Sequence, residues 1–529
     1  MCRNNEVEIV RYRYYVTPVT KIDEKYIMVI NKPTSSYTHS TIIHIVLLCV
    51  LGISGLTTSA DSRASKYTPE GLYDPTIYKL DNGLRVILNP RHGARNVAIR
   101  MDVGVGSFDF PCNKLDTAHF LEHLLFTGTT NHTESELDEL ITQHGGDWNA
   151  YTYDESTVYE MDIFSEHTDV ALETLSEIIS DSVITEENFD LSRTIIYREM
   201  GGQPSSIRQF LYKHEIVSTA GHKSRKEILK GSRSYCNTLD TLKDIEFKDI
   251  LDAYKYYYVP NNMTLVVTGD FDTDSIKKQI QLGFGKLSRK SVERNIPVAE
   301  DFNQGPVSYS SSLKPIVGQN SDSGLVYRTR GYDSTDYYVL VVIEEYLSNR
   351  LYENIRAQAG LTYAPVAQLI QNRKDGVLHL SAEVSTKHED KVLKLMHDEV
   401  EKLRKGDVTD DDIAKTIKSL LRSWARGLES NSSIADFYID YLYELDTNES
   451  YVDQESHLES VTPQDVRTVV ERYLVDSRLA YLKNSPTLTY NQFYLLICLT
   501  AISFLLLIWH LAKRMHLQIQ IIRQTSRKK

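Results

Sequence analysis

Ala118-His119-Phe120-Leu121-Glu122-His123-Leu124-Leu125-Phe126 is the stretch on which the reading of this chain turns. Leu121, Leu124, Leu125 and Phe126 give it the buried side of a short helix, and the strand-like run Val97 to Val105 precedes it. His119 and His123, at positions i and i+4, lie one turn apart on one helical face, so both imidazoles can reach a single ion. Zinc suits two imidazoles and a carboxylate while keeping a fourth position for water. Glu122 projects near that water and can take its proton as the metal lowers the water's pKa. The plainer alternative is a helix with two surface histidines.

Outward from the motif the pattern mixes strands and helices. Ile77 to Leu88 contains the tight-turn signature Asp81-Asn82-Gly83, and Thr157 to Ile163 alternates Tyr159, Met161 and Ile163 with polar residues. Val170 to Ile179 follows with helical periodicity. Much further along the chain Val377 to Val384 alternates again, and Asp390-Lys391-Val392-Leu393 opens a helix as Asp169-Val170-Ala171-Leu172 does earlier. Arg289 to Ser323, polar and carrying Pro297, Pro306, Pro315 and the run Ser308 to Ser312, reads as a linker. The expected fold class is therefore α+β. Two similar halves, 67–290 with the zinc motif and 320–486, each hold a mainly antiparallel sheet flanked by helices.

The 529 residues exceed one ordinary domain, and 41% hydrophobic with 25% charged residues is a globular composition. A net charge of −13 argues against a general nucleic-acid binder, which needs a basic surface. Two segments stand outside a soluble fold. Ile42 to Leu56 is a signal-like apolar run followed by Thr58-Ser59-Ala60, within an N-terminal extension spanning 1–60; a start at Met28 would give it an ordinary charged leader. Phe493 to Leu511 carries no formal charge, and as a helix it is long enough to be a transmembrane span. The tail 512–529 is basic and lacks acids, which makes it cytoplasmic and places the rest on the other side of a single-pass protein, in a periplasmic, lumenal or extracellular space. Of five cysteines only Cys112 and Cys236 fall in the globular part. Free, inert thiols are the expectation there, a disulfide in an oxidising compartment the alternative. Four N-x-S/T sites, at Asn131, Asn262, Asn431 and Asn448, matter only in a glycosylating secretory pathway.

H-x-x-E-H inverts the H-E-x-x-H of ordinary zincins, and with its surroundings it resembles the inverzincin, or pitrilysin and insulinase, family of metallopeptidases. The likeness is closest to the short two-half members related to mitochondrial processing peptidase and bacterial insulinase-like proteins. Gly104 to Ser107, Phe126-Thr127-Gly128-Thr129 and Gly145-Gly146-Asp147-Trp148-Asn149-Ala150-Tyr151-Thr152 match as well. The resemblance implies Glu199, at the family's downstream spacing from His123, as third ligand to one zinc per chain. It implies that Asn149 and Ala150 lie on an edge strand whose backbone pairs with an extended peptide. It implies that Arg356 and Tyr363 reach across a chamber to bind substrate and stabilise the oxyanion, a buried ion pair and a core tyrosine being the alternative. A peptide or an unfolded polypeptide is the expected substrate. The partner is a second copy or a related chain, with Arg356 and Tyr363 completing the other chain's site. The rival reading is a non-catalytic or weakly active subunit of a heterodimeric peptidase. Two departures stand out: Ser192 replaces a carboxylate that supports the metal ligands in the family, and Asp116-Thr117 replaces Gly-Leu before the helix.

Overall fold

The computed structural model describes residues 67–526 apart from 237, 313 and 314, with side chains as far as 520. The signal-like run Ile42 to Leu56 and the alternative start at Met28 lie outside the described residues.

In the first half, β1 (Thr76–Lys79) and β2 (Arg85–Pro90) form the hairpin that the Asp81-Asn82-Gly83 turn demands. Gly83 has φ +96°, and a Cβ there would lie 2.7 Å from the Asn261 side chain, so only glycine fits. With β3 (Asn96–Val103), β4 (Asp147–Thr152), β5 (Thr157–Phe164) and β6 (Met263–Gly269) they make a six-stranded sheet ordered β1-β2-β6-β3-β5-β4. All its pairs are antiparallel except β2 with β6.

The second half contributes β7 (Val307–Ser311), β8 (Val317–Gly318), β9 (Asn320–Arg330), β10 (Val366–Gln371), β11 (Asp375–Ser385), β12 (Leu479–Asn484) and β13 (Leu488–Thr489). Its main sheet runs β10-β11-β9-β12-β7, and within that sheet β12 pairs with β7 in parallel while the other pairs are antiparallel. Read from the opposite end, the first sheet runs β4-β5-β3-β6-β2 and then β1. The two orders match strand for strand, with the parallel pair at the same place.

One strand of this repeat lies in the stretch read as linker. Val307–Ser311 pairs with Ala480–Asn484, and Val307 and Tyr309 pack inward while Ser308 and Ser310 face outward. An edge strand with serine at every second position has the composition of a loop, and only the partner strand makes it a strand. The expectation for the cysteines is also overturned: Cys112 and Cys236 form a disulfide, with Cα atoms 5.3 Å apart. The intervening chain returns to its starting point, which linear spacing does not show.

The halves share a core. Ile87, Ala98, Val158 and Val266 on one face of the first sheet join the buried residues of the second half in one cluster, and the opposite face carries its own core around Phe120, Leu121 and Leu172. The helix Asn431–Asp440 docks on the shared face. Asp436 reaches the buried Arg100 at 2.8 Å, where Asp162 adds a second ion pair at 3.0 Å. Asn431 donates its amide to Asn96 O, and Asn262 donates to Gly104 O and Tyr257 O. Both amides are therefore engaged, and of the four N-x-S/T sites Asn131 and Asn448 are the exposed ones.

A final helix, Tyr490–Ser526, contains the expected span and continues past Lys513 and Arg514. Its segment Tyr490–Gln520 is long and apolar enough to cross a membrane.

Candidate metal centre

From β3 the chain passes through two single helical turns, Ser107–Asp109 and Cys112–Lys114, into α1 (Thr117–Leu125). α2 (Glu134–Thr142) and α3 (Thr168–Ser180) follow, and then α4 (Glu186–Glu199). α1 buries Phe120, Leu121, Leu124 and Leu125 and so turns His119 and His123 outward. α4 is set against it by the stacking of Phe120 on Phe189, ring centres 4.6 Å apart, and by the buried Ile196. This places Glu199, the last residue of α4, opposite both histidines.

Nε2 of His119 and Nε2 of His123 are 3.2 Å apart, and Glu199 Oε2 lies 3.6 Å from the first and 3.5 Å from the second. A tetrahedral zinc with ligands at about 2.0–2.1 Å has ligand–ligand edges of about 3.3–3.4 Å. Three donors of the right kind thus form a triangle of nearly that size on one side of a possible ion, leaving a fourth direction open. The residues fit the metal. Burial pulls the His119 pKa down, but the Asp116, Glu122 and Glu199 carboxylates outweigh it and hold it above the ordinary histidine value. Such a surplus of negative charge favours a cation at the same spot.

Glu122 is 8% exposed, and Thr152 Oγ1 donates to its Oε2 at 2.6 Å. Thr152 ends β4, so the hydrogen bond couples the carboxylate to the edge of the sheet. Among the described residues no strand pairs with the outer edge of β4, where Asn149 is exposed and Ala150 buried. Thr152 was legible as part of a matching segment but not as a partner of Glu122. Ser192, where the family carries a carboxylate, is buried in α4 and brings no charge.

Arg356 and Tyr363 form none of the contacts of this cluster. They lie together in the second half, Arg356 in the π-helical turn Tyr352–Gln358, its guanidinium 4.3 Å from the Tyr363 ring centre and 4.8 Å from that of Tyr352. Tyr363 is 79% exposed, so it is not a core tyrosine. His397, Glu401 and Asp476 form a second candidate cluster, but Arg404 pairs with Glu401 and approaches Asp476 at 3.7 Å, so a guanidinium already supplies the cation there.

Family models match both halves. "Insulinase (Peptidase family M16)" covers residues 85–227 and "Peptidase M16 inactive domain" covers 244–420, the part without the H-x-x-E-H motif. An uncharacterized zinc protease of Streptomyces coelicolor is 24% identical over 432 residues, covering 79% of this chain and 92% of that protein. A protease from Helicobacter pylori superposes with a TM-score of 0.66 at 20% identity, covering 78% of this chain and all of the other. The periplasmic protease PqqL from Escherichia coli superposes with a TM-score of 0.62 at 17% identity, and the 78% of this chain that matches spans 47% of PqqL. The chain belongs to the inverzincin, or M16, peptidase family.

Proposed function

We propose that the chain is a membrane-anchored zinc endopeptidase that hydrolyses peptides or unfolded polypeptide segments, one zinc being held by His119, His123 and Glu199. The observation that carries this reading is the donor triangle of 3.2, 3.5 and 3.6 Å beside a buried carboxylate. Zinc bound there supplies a Lewis acid that acidifies a water and polarises the scissile carbonyl. Glu122 accepts a proton from the attacking water and delivers it to the amine as the C–N bond breaks. Thr152 holds one carboxylate oxygen, which leaves the other for that proton. The extended substrate adds to the free edge of β4 along Asn149 and Ala150, which brings it beside Glu122 through Thr152.

Arg356 and Tyr363 donate to the carbonyl oxygen as it gains charge. Their exposure and their place in the second half suit action on a partner chain, a second copy or a related one. The length of PqqL supports pairing: its separately solved first half superposes with this chain over 92% of its own length, so the whole holds room for two such units. The run Phe493 to Leu511, inside the helix Tyr490–Ser526, anchors the catalytic part on the side opposite the basic tail.

Glu122→Gln tests the assignment. It preserves shape and zinc content but cannot take the proton, and hydrolysis of a peptide library should fall about 10² to 10⁴-fold. Activity within a few-fold of the parent chain would remove Glu122 from the mechanism.

A further inference from the structure

Asp116 stands at the N-terminal boundary of α1, where an aspartate ordinarily turns back to accept from the first free N–H groups of the helix. Here its side chain makes no such bond. It points elsewhere on both of its oxygens. Oδ1 faces Nδ1 of His119 at 3.8 Å, on the ring edge opposite the Nε2 that meets the other ligands. Oδ2 accepts the hydroxyl of Thr241, which is itself buried. The distance to Nδ1 is too long for a direct hydrogen bond and short enough for an ion pair that a small side-chain rotation closes.

The segment that supplies Thr241 also holds the other ligand helix. Asp240, its neighbour, is buried and accepts from Tyr197 on α4 at 2.9 Å, just before Glu199 in the chain. Consecutive residues therefore grip the start of α1 and the end of α4. The grip is fastened at its base. Cys236 is bonded to Cys112, Asn113 donates to Asp244 at 2.9 Å, and Lys114 pairs with Asp249 at 2.7 Å. Ser192, buried in α4, offers no charge that could orient an imidazole.

We propose that Asp116, aimed by Thr241 and braced by the Cys112–Cys236 bridge, is the carboxylate that orients His119 at the zinc. This rests on the assignment of His119, His123 and Glu199 as the zinc site. Asp116 is a positioning residue: it touches neither substrate nor metal. A carboxylate behind a ligating imidazole fixes the tautomer that presents Nε2 to the ion, and losing such a partner typically weakens metal binding about 10–100-fold. The missing helix cap removes the competing explanation, because there is no capping bond for a substitution to break.

Zinc affinity measured by competition with a chromophoric chelator, with no peptide present, tests this. Asp116→Asn should bind zinc about 10–100-fold more weakly, while the zinc-stripped variant melts where the zinc-stripped parent does. Thr241→Val, which keeps the carboxylate but removes its donor, should show a smaller loss. Asp116→Glu should bind more tightly than Asp116→Asn, because it keeps the charge. The proposal is overturned if Asp116→Asn binds within two-fold of the parent. It is equally overturned if the zinc-stripped variant is destabilised enough to account for the whole loss, or if Asp116→Glu is no better than Asp116→Asn. If the parent chain binds no zinc, the site assignment itself fails; if the parent binds and the variants match it, only the role of Asp116 fails.

Discussion

Two helices occupy the same place in the two halves and do different things. α1 follows the central strand β3 of the first sheet and packs beside the edge strand β4; the helix Tyr337–Leu351 follows the central strand β9 and packs beside the edge strand β10. Each sends a glutamate toward its edge strand. Glu122 accepts from Thr152 Oγ1 on β4, and Glu344 accepts from Leu369 N on β10. In α1 the acid is flanked by His119 and His123, which face Glu199 across a gap of zinc-binding size. In the second helix the positions that correspond to His119 and His123 hold Val341, which is buried, and Glu345, a second acid, and no histidine is present. Burial pushes the Glu344 carboxyl up to about 8. The scaffold places an acid against the edge strand twice, and the neighbouring side chains set its surroundings: two histidines beside Glu122, and Val341 with a second acid, Glu345, beside Glu344.

The sharpest way to break this comparison is to neutralise both acids in turn. Glu122→Gln should lose about 10² to 10⁴-fold in peptide hydrolysis, whereas Glu344→Gln should stay within a few-fold of the parent. Equal losses would mean that the halves are not functionally distinct. Next in size is the contribution of the second half. Tyr363→Phe should cost about 10² to 10³-fold in turnover if the phenol donates to the developing oxyanion. Mixing it with a Glu122→Gln chain should restore activity partway, since one site of the mixed dimer then escapes both lesions. A mixture that forms mixed dimers yet stays inactive would confine Tyr363 to its own chain.

The disulfide belongs to the first half alone. Replacing Cys112 and Cys236 with serine should lower the stability of that half by about 2–5 kcal/mol, read as an earlier unfolding transition in denaturant. An unchanged transition would show that the bridge is not formed in the protein. The smallest expected effect concerns pH. Between the ordinary carboxyl value of 4.5 and about 8, folded Glu344 keeps a proton that the unfolded chain releases, so stability falls as pH rises through that window. Asp102 and Asp154, each pushed by burial to about 7, act in the same direction. Thermal midpoints from pH 5 to 8 should therefore decline, and Glu344→Gln should decline less steeply. Parallel slopes would place Glu344 in water.

What was legible beforehand has physical reasons. His119, Glu122 and His123 can be read because helical geometry fixes their relation within one turn. The repeat could be read from β5 and β11, whose alternation and following helices recur in the two halves of the chain. β7 could not, because serine at alternate positions gives an edge strand no apolar signature, and its partner β12 comes only near the end of the second half. The Cys112–Cys236 bridge and the Asp116–Thr241 contact each join the start of α1 to a segment beyond α4, and no local pattern carries that proximity. The charge-free run from Phe493 to Leu511 marked the apolar core of the last helix, but Lys513 and Arg514 are good helix formers, so the helix runs on.

Zinc content per chain tests the central claim most directly. Elemental analysis of the purified protein should find one zinc per chain in the parent and in Glu122→Gln, and loss of the metal in His123→Ala after dialysis against a weak chelator. Zinc retained by His123→Ala at the parent level would contradict the account, because the metal would then sit somewhere other than between α1 and α4.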